Sequence, residues 1–403
     1  MNDQENTLIP SATVHDAVRT IRDALVKSLR PLIIAGGGMQ SPRARINFRK
    51  WIETINVPFQ RTRSAIDVLP DSHPLSAGRP GAYGQRVANE LLHRADFLLF
   101  LGCRLGESFT GRQPALFGKD ASKISIGIAT DARNAVIGLN KFKSMDLVVD
   151  DVLEELVNDS DKWGIYHRNE WVNCCREAIS QEFFDAVKTR SELPQDQPAD
   201  VYEIVHRLSK LIPKESVVVV DGGILTHIVN QVFESKEGQR VILPSGLETP
   251  YFALPASIGI AHDRSNKTIT VITSRPALFK DWDIIRRFEK AFPRQLIFRA
   301  IAIDVPHYNS WTIMKDMLYP TTGLRDFVAE SVSLASITDK QINYRKLRSR
   351  AELKTLENCD YWGSPGLRVA DIDVSQAVRI RPRPKYRISH DGRWTQESLS
   401  EMD

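Results

Sequence analysis

Cysteine is scarce in this chain: Cys103, Cys174, Cys175 and Cys359 are the only four in 403 residues, and their spacing suits no metal. Adjacent Cys174 and Cys175 lie in a stretch of helical character, which argues against a disulfide framework and for a reduced, cytosolic setting. Long apolar runs are lacking too, so no segment has the length of a membrane span. The polar opening, residues 1–10, carries no signal core. Neither sign of charge dominates: the net charge of +4 is small for this length and gives no reason to expect nucleic acid. Nucleophile elbow, Walker loop, zinc spacing and short-period repeat are all absent, which removes the motif-defined hydrolase, nucleotide-triphosphatase and solenoid classes.

What is present is globular. Hydrophobic residues at 42% and charged residues at 26% supply core enough for two or three domains. After a polar lead and a helix in residues 1–30, Leu32-Ile33-Ile34-Ala35 reads as a buried strand stopped by Gly36-Gly37-Gly38. Helix Arg43–Thr54, a strand near Val57-Pro58-Phe59, a Pro/Gly/His-rich loop over 69–84, and the strands at 95–102 and 124–128 follow. Strands alternating with helices imply βαβ units and parallel sheets. Residues 31–165 therefore form one expected α/β domain, and 166–199 a helix and linker. Residues 200–340 form a second domain, with strands at 217–220, 241–243, 269–272 and 296–303. Residues 341–403 read as a basic C-terminal extension with little apolar periodicity. The expected fold class is thus α/β, two tandem doubly wound parallel-sheet domains plus that extension.

Several runs then carry a resemblance. In the first domain they are Pro31–Gly38, Leu69-Pro70-Asp71-Ser72-His73-Pro74-Leu75, Gly78-Arg79-Pro80-Gly81-Ala82-Tyr83-Gly84, Ala88-Asn89 and Leu101-Gly102-Cys103-Arg104-Leu105. In the second they are Asp221-Gly222-Gly223, Ser245-Gly246-Leu247 and Leu254-Pro255-Ala256. Order and spacing resemble the central and diphosphate-binding domains of thiamine diphosphate-dependent enzymes of the acetolactate synthase type. The resemblance implies cofactor contacts at Asp221, Gly222, Gly223, Ser245, Gly246, Leu247, Arg275 and Asp304. It also implies a central domain that binds FAD or ADP in some members and nothing in others. Glycines 36–38 serve either reading, as a phosphate loop or as a tight strand exit.

The departures matter as much. In the family, the strand corresponding to Thr268–Ile272 runs into Gly-Asp-Gly, whose Asp holds Mg2+; here the Asp position reads Arg275. The paired Asn falls near Ile303-Asp304. Ile224-Leu225 stand for Gln-His, and Glu248-Thr249-Pro250-Tyr251 for Gly-Thr-Met-Gly. Mg2+ asks for several hard oxygens in near-octahedral geometry, which argues against a metal on this chain. No run matches the pyrimidine-binding domain with its catalytic Glu, and no catalytic residue can be named. The expectation is a truncated subunit, inactive alone, in a cytoplasmic homo- or hetero-oligomeric decarboxylase or carboligase acting on 2-oxo acids. Thiamine diphosphate would bind only with a partner chain that carries the pyrimidine domain. The alternatives are a nucleotide or small-ligand regulatory protein using Arg104 and Asp131, and nucleic acid on the basic extension. His227 is expected on a helix surface, His73 in loop packing and Asp263 at a helix end, while His307-Tyr308-Asn309 follows a strand end without a nameable partner.

Overall fold

The computed structural model describes residues 7–9, 12–111, 113–127, 138–160, 163, 168–188, 194–244, 251–263, 268–291, 295–305, 342–375, 382, 384–388 and 394–402. The chain divides into two compact units, Met1–Phe184 with Arg381–Asp403, and Asp185–Ile380.

The first unit is built on six strands: β1 (Thr7–Ile9), β2 (Pro31–Ala35), β3 (Phe59–Arg61), β4 (Phe97–Leu101), β5 (Ser122–Ile126) and β6 (Phe142–Met145). They run in the order β1-β6-β5-β4-β2-β3, with every neighbour pair parallel. Strands β2 and β4 are buried at every residue, the mark of a sheet covered on both faces. Side chains alternate across the sheet. Ile33, Ala35, Leu99 and Leu101 join the core under helices Val14–Lys27, Pro42–Ile55 and Val149–Ser160, whereas Leu32, Ile34, Leu98 and Phe100 join the opposite core under helices Arg86–Arg94 and Asn169–Lys188. Helix starts are locally encoded. Thr13 Oγ1 accepts from Asp16 N at 3.1 Å while the Asp16 carboxylate accepts from Thr13 N at 3.4 Å, a reciprocal cap. Strand β3 starts at Phe59, later than the apolar run suggests, because Pro58 has no N–H to give the ladder.

The second unit repeats the plan with β7 (Val217–Val220), β8 (Arg240–Ile242), β9 (Ile269–Ser274), β10 (Ile297–Ile303), β11 (Asn343–Leu347) and β12 (Gly366–Ile372). Their order is β11-β12-β10-β9-β7-β8, again all parallel. Val217, Val219, Ile269, Val271, Phe298 and Ala300 share a core with helices Ala253–His262 and Trp282–Ala291. Two parallel sheets with interleaved helices are the doubly wound α/β architecture expected from the sequence.

The stretch beyond 341, read as an extension, is structural. It supplies β11 and β12 to the second sheet, and a two-stranded antiparallel pair, β13 (Tyr386–Ile388) with β14 (Trp394–Gln396). Residues after β14 pack back on the first unit: Leu399 and Met402 are buried, and Asn89 Nδ2 donates to Met402 Sδ at 2.9 Å.

Candidate functional site at the strand ends

Open α/β sheets take ligands beyond the carboxyl ends of their strands, where the strand order reverses. The first sheet reverses between β2 and β4. The loops that leave these strands are in backbone contact: Gly36 N donates to Leu101 O at 2.8 Å and Gly38 N to Gly102 O at 2.9 Å. A Cβ on Gly36 would stand 2.2 Å from the Gly102 carbonyl oxygen, and Gly102 itself has φ +61°. These glycines serve close approach of two loops, and the Gly36 and Gly38 amides are engaged by carbonyls. Arg104, just beyond, is exposed. Below the loops lies a cluster that sequence reasoning missed. Arg61 and Arg79, both fully buried, share the Asp71 carboxylate, with Arg61 Nη2 at 2.6 Å. His73 packs as expected, edge-on to Phe59, accepting from Leu75 N at Nδ1 and facing Glu53 through Nε2. Burial lowers its pKa.

The second sheet reverses between β7 and β9. Asp221 follows β7 and is 1% exposed. Its Oδ1 accepts from the amides of Gly222, Phe252 and Ala253 at 3.1, 2.9 and 3.3 Å, and its Oδ2 accepts from Thr273 Oγ1 at 2.8 Å. The carboxylate thus ties the start of helix Ala253–His262 to the end of β9, and its lone pairs face protein donors. Gly223 caps helix Ile224–Val232 at φ 84°, ψ −146°, a conformation for glycine. That helix is buried along its whole length, so His227, expected at a surface, is 1% exposed.

Strand β9 does not open into a loop. Ser274 caps a short helix, Arg275–Lys280, accepting from Ala277 N at 3.3 Å. Arg275 therefore sits at the strand end, with 13% of its side chain exposed. Its Nη1 pairs with Asp304 Oδ2 at 2.5 Å, its Nε with Asp371 Oδ1 at 2.6 Å and its Nη2 with Asp373. The three carboxylates come from just beyond β10, from within β12 and from just beyond β12. Asp371, fully buried, also accepts from Tyr344 Oη at 2.7 Å, and Lys346 Nζ lies 3.4 Å from Asp373. Burial disfavours the Arg275 charge, but Asp371, Asp373 and Asp304 more than reverse this and raise its pKa. Burial and the Asp371 bond also push the Tyr344 phenol up.

The structure thus brings together Arg275 and Asp304, and separately fixes Asp221 with Gly222 and Gly223. Ser245, Gly246 and Leu247 lie outside the described residues, as do Asp131 and His307-Tyr308-Asn309. Asp371 and Asp373 were not foreseen. Their only sequence signal is the acidic alternation Asp371-Ile372-Asp373 after an apolar run.

Two parallel sheets with interleaved helices define a doubly wound α/β architecture. Residues 18–156 match the family model described as thiamine pyrophosphate enzyme, central domain. The chain is 28% identical over 262 residues to a probable acetolactate synthase large subunit of Methanococcus aeolicus, covering 62% of this chain and 42% of that protein. It is 28% identical over 290 residues to the acetolactate synthase isozyme 1 large subunit of Escherichia coli K12, covering 71% and 48% respectively. It is also 22% identical over 276 residues to a 3D-(3,5/4)-trihydroxycyclohexane-1,2-dione hydrolase of Geobacillus thermodenitrificans, covering 64% and 42%. Residues 18–156 are thus similar to the central domain of thiamine pyrophosphate enzymes and the chain is similar to acetolactate synthase large subunits, spanning about half the length of these relatives. Among the described residues, no helix is long and apolar enough to cross a membrane.

The described residues do not fit a Mg2+-bound diphosphate. Around Arg275, three carboxylates face two cations, Arg275 and Lys346, so the strand end carries excess negative charge. Asp221 is enclosed by four protein donors.

Proposed function

We propose that this chain is a component of a cytoplasmic, hetero-oligomeric, thiamine diphosphate-dependent assembly of the acetolactate synthase type, and is inactive alone. The assembly would decarboxylate a 2-oxo acid or ligate the resulting acyl anion equivalent to a second carbonyl. One observation carries the reading. Arg275 stands where the resemblance puts a metal-binding aspartate, and its guanidinium is taken up by Asp304, Asp371 and Asp373. Without a metal clamp at this strand end, the chain depends on a partner for the cofactor's diphosphate contacts, and activation of the cofactor's ring at a pyrimidine-binding domain is the second requirement. Thiamine chemistry needs both, because the cofactor supplies the electron sink only when it is fixed and its ring is activated. The relatives named as large subunits support a place for the chain in a multi-subunit enzyme.

Calorimetric titration with thiamine diphosphate and Mg2+ tests this. The expected result is no heat with the chain alone, and more heat from its mixture with a pyrimidine-domain chain than from that chain by itself. Saturable binding by the chain alone would overturn the reading.

A further inference from the structure

We propose that Arg275 is a tethered counter-cation that makes the carboxyl end of the second sheet independent of divalent metal and closed to diphosphate. The inference sharpens the assembly reading but does not depend on it, since it concerns the chain by itself.

Three observations support it. First, the guanidinium offers a different nitrogen to each of three carboxylates, Asp304, Asp371 and Asp373. A planar cation with donors fanned around its edge matches such an array, whereas a compact ammonium does not. Second, Asp371 is fully buried within β12 and bonded to Tyr344 Oη. A carboxylate so placed needs an opposite charge nearby, because an uncompensated buried ion is among the most destabilising features a fold can hold. Third, the partners come from separated parts of the chain, yet register places them side by side: Ser274 pairs with Ile303, Ala302 with Asp371, and Asp371 with Lys346. Arg275 therefore closes the ends of three neighbouring strands, a task for which a dissociable ion would have to be supplied.

A guanidinium is not removed by a chelator and stays charged at every working pH. An incoming diphosphate would have to displace carboxylates from Arg275, while those carboxylates remained close enough to repel it.

Thermal unfolding of the full chain tests the proposal. The wild-type Tm should be the same in chelator and in millimolar Mg2+, and titration with inorganic diphosphate, with or without Mg2+, should release no heat. A Tm raised by Mg2+, or saturable diphosphate binding, would sink the proposal. Arg275→Met should lower Tm by roughly 5–10 °C, because three carboxylates then face one another. Adding Asp371→Asn to Arg275→Met should recover part of the loss. A double variant no better than the single one would mean that Arg275 acts by packing and would overturn the charge argument. Should Arg275→Met fail to fold, Arg275→Lys serves. It is expected to fold, with an intermediate Tm that rises when Asp373→Asn relieves the surplus negative charge; a fall on that addition would count against the proposal.

Discussion

The two sheets close the carboxyl ends of their strands by different means. In the first, glycine backbones meet: Gly36 and Gly38 pack against Leu101 and Gly102 with no room for a Cβ. In the second, side chains do the closing, through the buried Asp221 carboxylate and the Arg275 ion cluster. Steric closure tolerates no added atom but is indifferent to salt and pH. Electrostatic closure tolerates changes of size and fails when a charge is lost.

The largest effect should come from Gly36→Val, whose Cβ would overlap the Gly102 carbonyl; a loss of roughly 3 kcal/mol or more is expected, read as collapse of the first unit's unfolding transition. Next is Arg275→Met, at about 2–3 kcal/mol, moderated because Asp304 is 46% exposed. Denaturant midpoints for this variant should improve with ionic strength, while those of Gly36→Val should not. Asp221→Asn keeps the shape but loses charge-assisted bonds to three amides, for about 1–2 kcal/mol, with faster hydrogen exchange at Phe252 and Ala253. The smallest effect is a pH slope in the first unit, at partly buried Glu182. Burial pushes its carboxyl up to about 7 from 4.5, against the Arg86 and Val87 amides it accepts from. The folded protein then holds a proton that the unfolded chain releases between these values, so its contribution is full below pH 4.5 and is lost as pH rises through 7. Glu182→Gln should flatten that part of the Tm profile.

The central strands were legible because burial on both faces makes them continuous apolar runs, as in Phe97–Leu101 and Val217–Val220. Strand β11, Asn-Tyr-Arg-Lys-Leu, was not: it is an edge strand with exposed positions, so its charges read as a solvated extension. Strand β12 was masked by Arg368 and Asp371, and the partner that makes Asp371 tolerable lies 96 residues away at Arg275. The sequence exposed the loss of the expected Asp at 275 but held no sign of which carboxylates would surround its replacement. His227 was misjudged for a related reason, since a polar residue on a helix buried all round looks like one on a surface.

The return of the chain's late segment to the first unit carries a consequence for timing. Met402 meets Asn89 across 313 residues, and Gln113 holds the Gln396 carbonyl at 2.5 Å. On a ribosome adding about 5–20 residues per second, the first unit would wait on the order of tens of seconds for its last piece. During that interval the surface of helix Arg86–Arg94 that receives Leu399 and Met402 stands open, so the first unit is translated well before the segment that covers this face.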